Sequence, residues 1–96
     1  MDTVHGEYKI PGGKLVVADI KTEGSGADAS VGQAVISGDF FLEPSEALLA
    51  INAALVGLST TTPVTEMAAH VARAAGPGAQ FIGFSPEAVA IAVRRA

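Results

Sequence analysis

Few residues in this chain have the types and spacing that chemistry needs, and they fall in two short stretches. The first is Pro11-Gly12-Gly13-Lys14. Two adjacent glycines leave backbone N–H groups open to an anion, and a lysine beside them can reach a phosphate or carboxylate. It is not a Walker loop, because the glycine spacing differs and a strand-like run follows in place of a helix. The same residues also make a tight hairpin turn with a solvated lysine, and residue types alone favour that reading. The second stretch, Ser37 to Pro44, holds Asp39, Phe40 and Phe41. In extended chain the two rings point to opposite faces, so one can enter a core while the other faces outward. With the carboxylate beside them they suit a docking surface, although a plain strand-to-helix corner uses the same residues.

The remaining candidates are weaker. Asp39 and Glu43 lie four residues apart across a strand–helix junction, which does not fix their separation, and no histidine is near in sequence to tune them. Asp39 is read as a backbone-capping or partner-facing group. His5 is expected in a mobile N-terminal segment and His70 midway along a helix, both as surface histidines without a nucleophile or base. There is no cysteine, which removes disulfides, thiolate nucleophiles and cysteine-ligated metals or clusters together. No catalytic set can be assembled from these residues. They describe a small binding or accessory domain.

The elements that must position these groups follow from periodicity. Glu7–Ile10 alternates as a short edge strand, and Pro11-Gly12-Gly13 turns the chain. Leu15–Ile20 is a β-branched run bounded by turn signals, with burial expected on both faces over part of its length. After the small polar loop Glu23–Ser30, Gln33–Phe41 supplies the next strand. Pro44 then opens a helix, with Glu43 as its cap and Leu48, Ile51 and Leu55 as its stripe. Gly57 ends it. Thr62 and Pro63 start a second helix whose face is Val64, Met67, Ala68, Val71 and Ala75, stopped by Gly76-Pro77-Gly78. Phe81–Phe84 connects to a third helix capped by Ser85, with Phe84 and Val89 as a hydrophobic staple and Arg94-Arg95 at the favourable end of its dipole. Strands come first, within about residues 7–41, and helices after, within about 44–96. The prediction is an α+β fold: a two- to three-stranded antiparallel meander with about three helices on one face.

Composition sets the outer limits. Ninety-six residues suffice for a single domain, and an apolar fraction of 49% with 17% charged residues excludes a disordered chain. A net charge of −4 argues against nucleic acid and against anionic membranes, both of which require a basic surface. No apolar run reaches the roughly 20 residues of a membrane span, and the first residues do not have the form of a signal peptide, so a cytoplasmic protein is expected.

Three stretches carry a resemblance. Tyr8 to Val16, Gly38 to Pro44, and Phe84 to Val89 with the closing Arg94-Arg95-Ala96 resemble, in order, motifs of the small accessory domain of lipoate–protein ligases. In that family a large catalytic domain binds ATP and lipoate, forms lipoyl-adenylate, and transfers the lipoyl group to a lysine of an acceptor domain. The small domain serves the adenylation step, moves during the cycle, and is either fused to the catalytic domain or a separate chain. The resemblance implies a fold similar to iron–sulfur scaffold and sulfur-acceptor domains, and a catalytic ligase chain as partner, with lipoyl-acceptor domains as indirect partners. It implies ATP, Mg and lipoate in the assembled ligase, with nothing bound by this chain alone. Lys14, with Gly12 and Gly13, matches the family's Gly-Gly-Lys and would approach the adenylate phosphate or act as a lid. Asp39, Phe40 and Phe41 match its Gly-Asp-Phe-Phe and would serve docking or the domain's own core. The alternative is a sulfur-transfer or iron–sulfur assembly adaptor, or another small protein-binding module; the lack of cysteine weighs against the adaptor.

Overall fold

The apolar positions of the first half alternate on one face of a three-stranded antiparallel sheet, in the order β1 (Asp2–Lys9), β2 (Leu15–Glu23), β3 (Ser30–Gly38). The computed structural model describes residues 2–96. A two-stranded ribbon follows, made by β4 (Phe41–Glu43) and β5 (Gln80–Ile82). The helices are α1 (Ala47–Leu55), α2 (Val64–Ala75) and α3 (Pro86–Arg95). The fold is α+β, as the order of patterns predicts.

Val16, Ala18 and Ile20 of β2 are buried, and they sit opposite Gly38, Ile36 and Ala34 of β3 on the face that meets the helices. Leu15, Val17 and Asp19 on the other face are half-buried. The expected two-sided burial of β2 is therefore corrected. Helices lie on one side only, so the second face keeps a share of water. α3 packs on β1 and β2, α1 packs on β3, and α2 packs chiefly against the two other helices. Ile51 and Leu55 of α1, Met67 and Val71 of α2, and Val89 of α3 are fully buried in one core with the sheet. Each such side chain contributes about 1.5–3 kcal/mol of transfer free energy.

Four boundaries differ from the sequence reading. β1 begins at Asp2, not Glu7, and pairs with β2 along its whole length. Its inward position Gly6 lies against the backbone of α3, where a Cβ would come within 2.1 Å of the Ala92 carbonyl oxygen. The run Gln33–Phe41 is not one strand. It breaks at Gly38, whose φ of 150° only glycine adopts without strain, and Phe41 belongs to the ribbon. Pro44 does not open α1, and Glu43 does not cap it. Glu43 is held in β4 opposite Gln80 and is joined to Pro44 by a cis peptide bond, and the helix starts at Ala47. Phe81-Ile82 is a strand of the ribbon as well as a connector.

The capping of the other helices follows the same accounting of backbone donors. Thr62 does not cap α2: Pro63 occupies that position, and the buried Thr62 hydroxyl donates to the Ser59 carbonyl at 2.7 Å. Ser85 caps α3 as predicted, accepting from the Ala88 N–H at 3.2 Å, with Pro86 first in the helix.

The border of the sheet at β3 is covered. The Val31 N–H donates to the Leu58 carbonyl at 2.9 Å, the Gly57 N–H to the Val31 carbonyl at 2.7 Å, and the Thr60 N–H to the Ala29 carbonyl at 3.0 Å. Further along, the Asn52 side chain of α1 accepts from the Ile36 N–H at 3.1 Å. Groups that would template another strand are used within the chain.

Candidate functional site

The β1–β2 turn is closed by backbone bonds from Gly13 N–H to the Ile10 carbonyl at 2.8 Å and from Ile10 N–H to the Lys14 carbonyl at 3.1 Å. The Lys9 ammonium donates to the Gly13 carbonyl and fixes the turn from its side. Here the hairpin reading of Pro11–Lys14 is correct, and the turn also has a neighbour. The Lys14 N–H donates to the Gly83 carbonyl at 3.2 Å, and the Lys14 stem lies over Gly83, where a Cβ would come within 2.6 Å of its Cγ.

Gly83 precedes Phe84, and Phe84 brings in the second stretch. The Phe40 ring stacks on Phe84 with centroids 3.8 Å apart and planes 18° from parallel. Phe81 lies 4.9 Å from Phe84 on a tilt of 47°. The Asp39 N–H donates to the Leu15 carbonyl at 3.3 Å, one residue beyond Lys14. Three segments far apart in sequence therefore meet at one end of the fold, joined by an aromatic cluster and two backbone bonds. Between the turn and the start of α3 runs an open groove of about 360 Å³ lined by Ile10, Pro11, Gly12, Gly13, Gly83, Phe84 and Ser85.

Each predicted residue can be placed. Gly12 and Gly13 line the groove, while Lys14 is exposed beside it. Phe40 is half-buried in the aromatic cluster and Phe41 stands outward, 67% exposed, so the two rings divide as their alternation predicts. Asp39 and Glu43 are both exposed and make no side-chain hydrogen bond among the described residues, so Asp39 does not cap backbone. No titratable side chain lines the groove. The Gly13 and Lys14 N–H groups are already used by the Ile10 and Gly83 carbonyls, so the groove offers the Gly12 backbone, the Ser85 hydroxyl that already caps α3, and a lysine ammonium at its margin. Such a set can hold or cover an anion, and supplies neither nucleophile nor general base.

Sequence reasoning missed one polar cluster. His5 is not in a loose terminal segment but in β1, where Nδ1 lies 2.6 Å from Asp19 Oδ1 across the strand pair and Nε2 lies 2.7 Å from Glu7 Oε2 on the same face. The alternation of a strand reaching back to Asp2 would have placed His5 and Glu7 together. Two carboxylates facing both ring nitrogens favour a proton on each, and these hydrogen bonds, Asp19's first, raise the His5 pKa above 6.5. The carboxylates bracket the ring from opposite sides, so the three groups do not converge on one point. Among the described residues no group of three acidic or histidine side chains is arranged to hold a metal ion. His70 is half-buried on α2 with no hydrogen-bond partner among the described residues.

A raised folded-state pKa means that this contribution to stability is complete below the unfolded value of about 6.5 and disappears as pH rises through the folded value. An NMR titration should therefore place the His5 midpoint above 6.5, and Asp19→Asn should bring it down. A midpoint unmoved by that substitution would remove the cross-strand bond as its cause. His5→Gln should likewise flatten the decline in stability between about pH 6 and pH 8 that this group contributes.

No family model matches the sequence, and no curated protein matches it. Among solved structures, a chain from an archaeal lipoylation system of Thermoplasma acidophilum, described as a bipartite lipoate protein ligase and its E2 lipoyl domain, is similar with a TM-score of 0.72. The two are 20% identical, and the match covers 97% of this chain and 96% of that one. No helix is long and apolar enough to cross a membrane among the described residues. The α+β arrangement of meander, ribbon and helices is thus a fold shared, nearly end to end, with a component of that lipoylation system.

Proposed function

We propose that this chain is the non-catalytic accessory subunit or domain of a lipoate–protein ligase, required for the ATP-dependent activation of lipoate to lipoyl-adenylate by a catalytic partner chain. The observation that carries the reading is the meeting of the Gly12-Gly13-Lys14 turn, Asp39-Phe40-Phe41 and the start of α3 at one pole. Those are the three stretches that resemble the ligase accessory domain, and the shared fold supports the same conclusion.

In this reading the pole closes over the partner's site. Lys14, carried on the glycine turn, approaches the phosphate of the adenylate, where a fixed positive charge favours the charge that develops during activation. Phe40 holds the pole together by stacking on Phe84, and Phe41 meets the partner. ATP, Mg and lipoate belong to the assembled ligase, and lipoyl-acceptor domains meet the catalytic chain rather than this one. Its place is the cytoplasm, with that chain.

The test is lipoate adenylation by the catalytic chain, followed by pyrophosphate release, with and without this protein. Activation should depend on its addition. Equal rates in its absence would overturn the reading.

A further inference from the structure

The exposed large apolar side chains of the described residues are Val35, Phe41, Leu49, Val56 and Ile82. On one flank, Leu49 and Val56 come from α1 and its end, and Phe41 and Ile82 from the adjoining β4–β5 ribbon, while Val35 lies beside Asp19 on the sheet face away from the helices. α1 packs on β3 and touches β4, and Phe41 is directly opposite Ile82 in the ribbon. None comes from β1, β2, α2 or α3. α1 has no charged residue, and its outer face carries Leu49, 71% exposed, with exposed Ala50 and Ala53. A helix apolar on its solvent side marks a surface that another molecule covers.

The charges on this flank have one sign. Between Lys21 and Arg73 the sequence has no lysine or arginine, and from Ala29 to Thr65 its charged residues are Asp39, Glu43 and Glu46. All three are exposed: Glu43 is in β4, Asp39 precedes that strand, and Glu46 precedes α1. Lys14 borders the flank at one corner, where Asp39 bonds to Leu15. A second copy of this chain is a poor occupant, because a two-fold contact through the flank would set like carboxylates against one another around an apolar centre.

We infer that the flank formed by α1 and the β4–β5 ribbon is a docking surface for a protein whose facing patch is apolar at its centre and ringed by lysine or arginine. The inference rests on the accessory-subunit reading and assigns that surface to the catalytic ligase chain. Phe41 and Leu49 supply the desolvated centre, and Glu43 and Glu46 supply steering and register.

The experiment measures binding of the purified catalytic ligase chain to wild-type protein and to two double variants by calorimetry. Phe41→Ser with Leu49→Ser, and Glu43→Lys with Glu46→Lys, should each weaken the complex by about ten-fold or more. The loss from the charge reversal should be largest at low salt. Lys21→Glu and Arg73→Glu, exposed positions off both the flank and the pole, should stay within about two-fold of wild type. A wild-type complex that all four variants preserve overturns the docking surface and leaves the ligase reading standing. No wild-type complex at all overturns the ligase reading together with the partner it names. A dimer of this protein in sedimentation that Leu49→Ser dissolves overturns the choice of partner in favour of a second copy.

Discussion

Gly38→Ala should cost about 2–6 kcal/mol of folding stability, a large share of the 5–15 kcal/mol that holds an ordinary domain. Two effects add. At φ 150° the backbone lies where a residue with a side chain is strained by about 1–3 kcal/mol. The new Cβ would also come within 2.1 Å of the Leu15 carbonyl oxygen, a backbone atom held by the Asp39 N–H, and such overpacking costs typically about 1–3 kcal/mol. Gly57 is the control. Its φ is 90°, but a Cβ there would meet nothing within 4 Å, so Gly57→Ala carries strain without collision. Urea unfolding of both variants separates the terms. A loss at Gly38 no greater than that at Gly57 would remove the close approach from the account.

The larger functional effect is expected at Lys14. Lys14→Ala should lower lipoyl-adenylate formation by the reconstituted ligase by about a hundred-fold or more, the scale of removing one preorganised group from a developing anion. Transfer from preformed lipoyl-adenylate should remain largely intact, because the lysine is assigned to the first half-reaction. The side chain also packs over Gly83, so Lys14→Met, which keeps the stem and drops the ammonium, separates charge from packing. If Met behaves as Ala does, the charge is responsible. Pyrophosphate release equal to wild type in both variants would reject the role. Folding stability should change by less than about 0.5 kcal/mol in either, since Lys14 is exposed.

The periodic signals were legible in the sequence, and the junctions between them were not. Leu15–Ile20 is legible as a strand from its β-branched content, and the α1 and α2 stripes bury at their centres, Ile51 and Leu55, Met67 and Val71, while Leu48, Val64 and Ala75 are half-buried. The sequence starts β1 at Glu7, five residues after its true start at Asp2, because Gly6 and His5 have poor strand signals. What holds them extended is the pairing with β2 and the contact of Gly6 with α3, both tertiary. The split between β3 and β4 has the same origin, since a glycine between two apolar runs does not announce which sheet the second run joins. β5 is three residues long, too short for any period.

The site was legible only as separate pieces. Glycines before a lysine and a pair of rings after an aspartate were visible, and resemblance put them in order. Nothing in their spacing says that Phe40 reaches Phe84 or that Lys14 lies over Gly83, because those contacts span more than forty residues and depend on the whole sheet and on α3.

The covered border at β3 limits how an inhibitor of this protein's contacts could be built. With Ala29, Val31 and Ile36 already bonded to Gly57–Thr60 and Asn52, an extended peptide laid alongside gains little from main-chain recognition there. A short amphipathic helix bearing arginines, seated on Leu49 and Phe41, has more to grip. Competitors drawn from the two peptide geometries should therefore differ in potency, with the coiled shape ahead of the straight one.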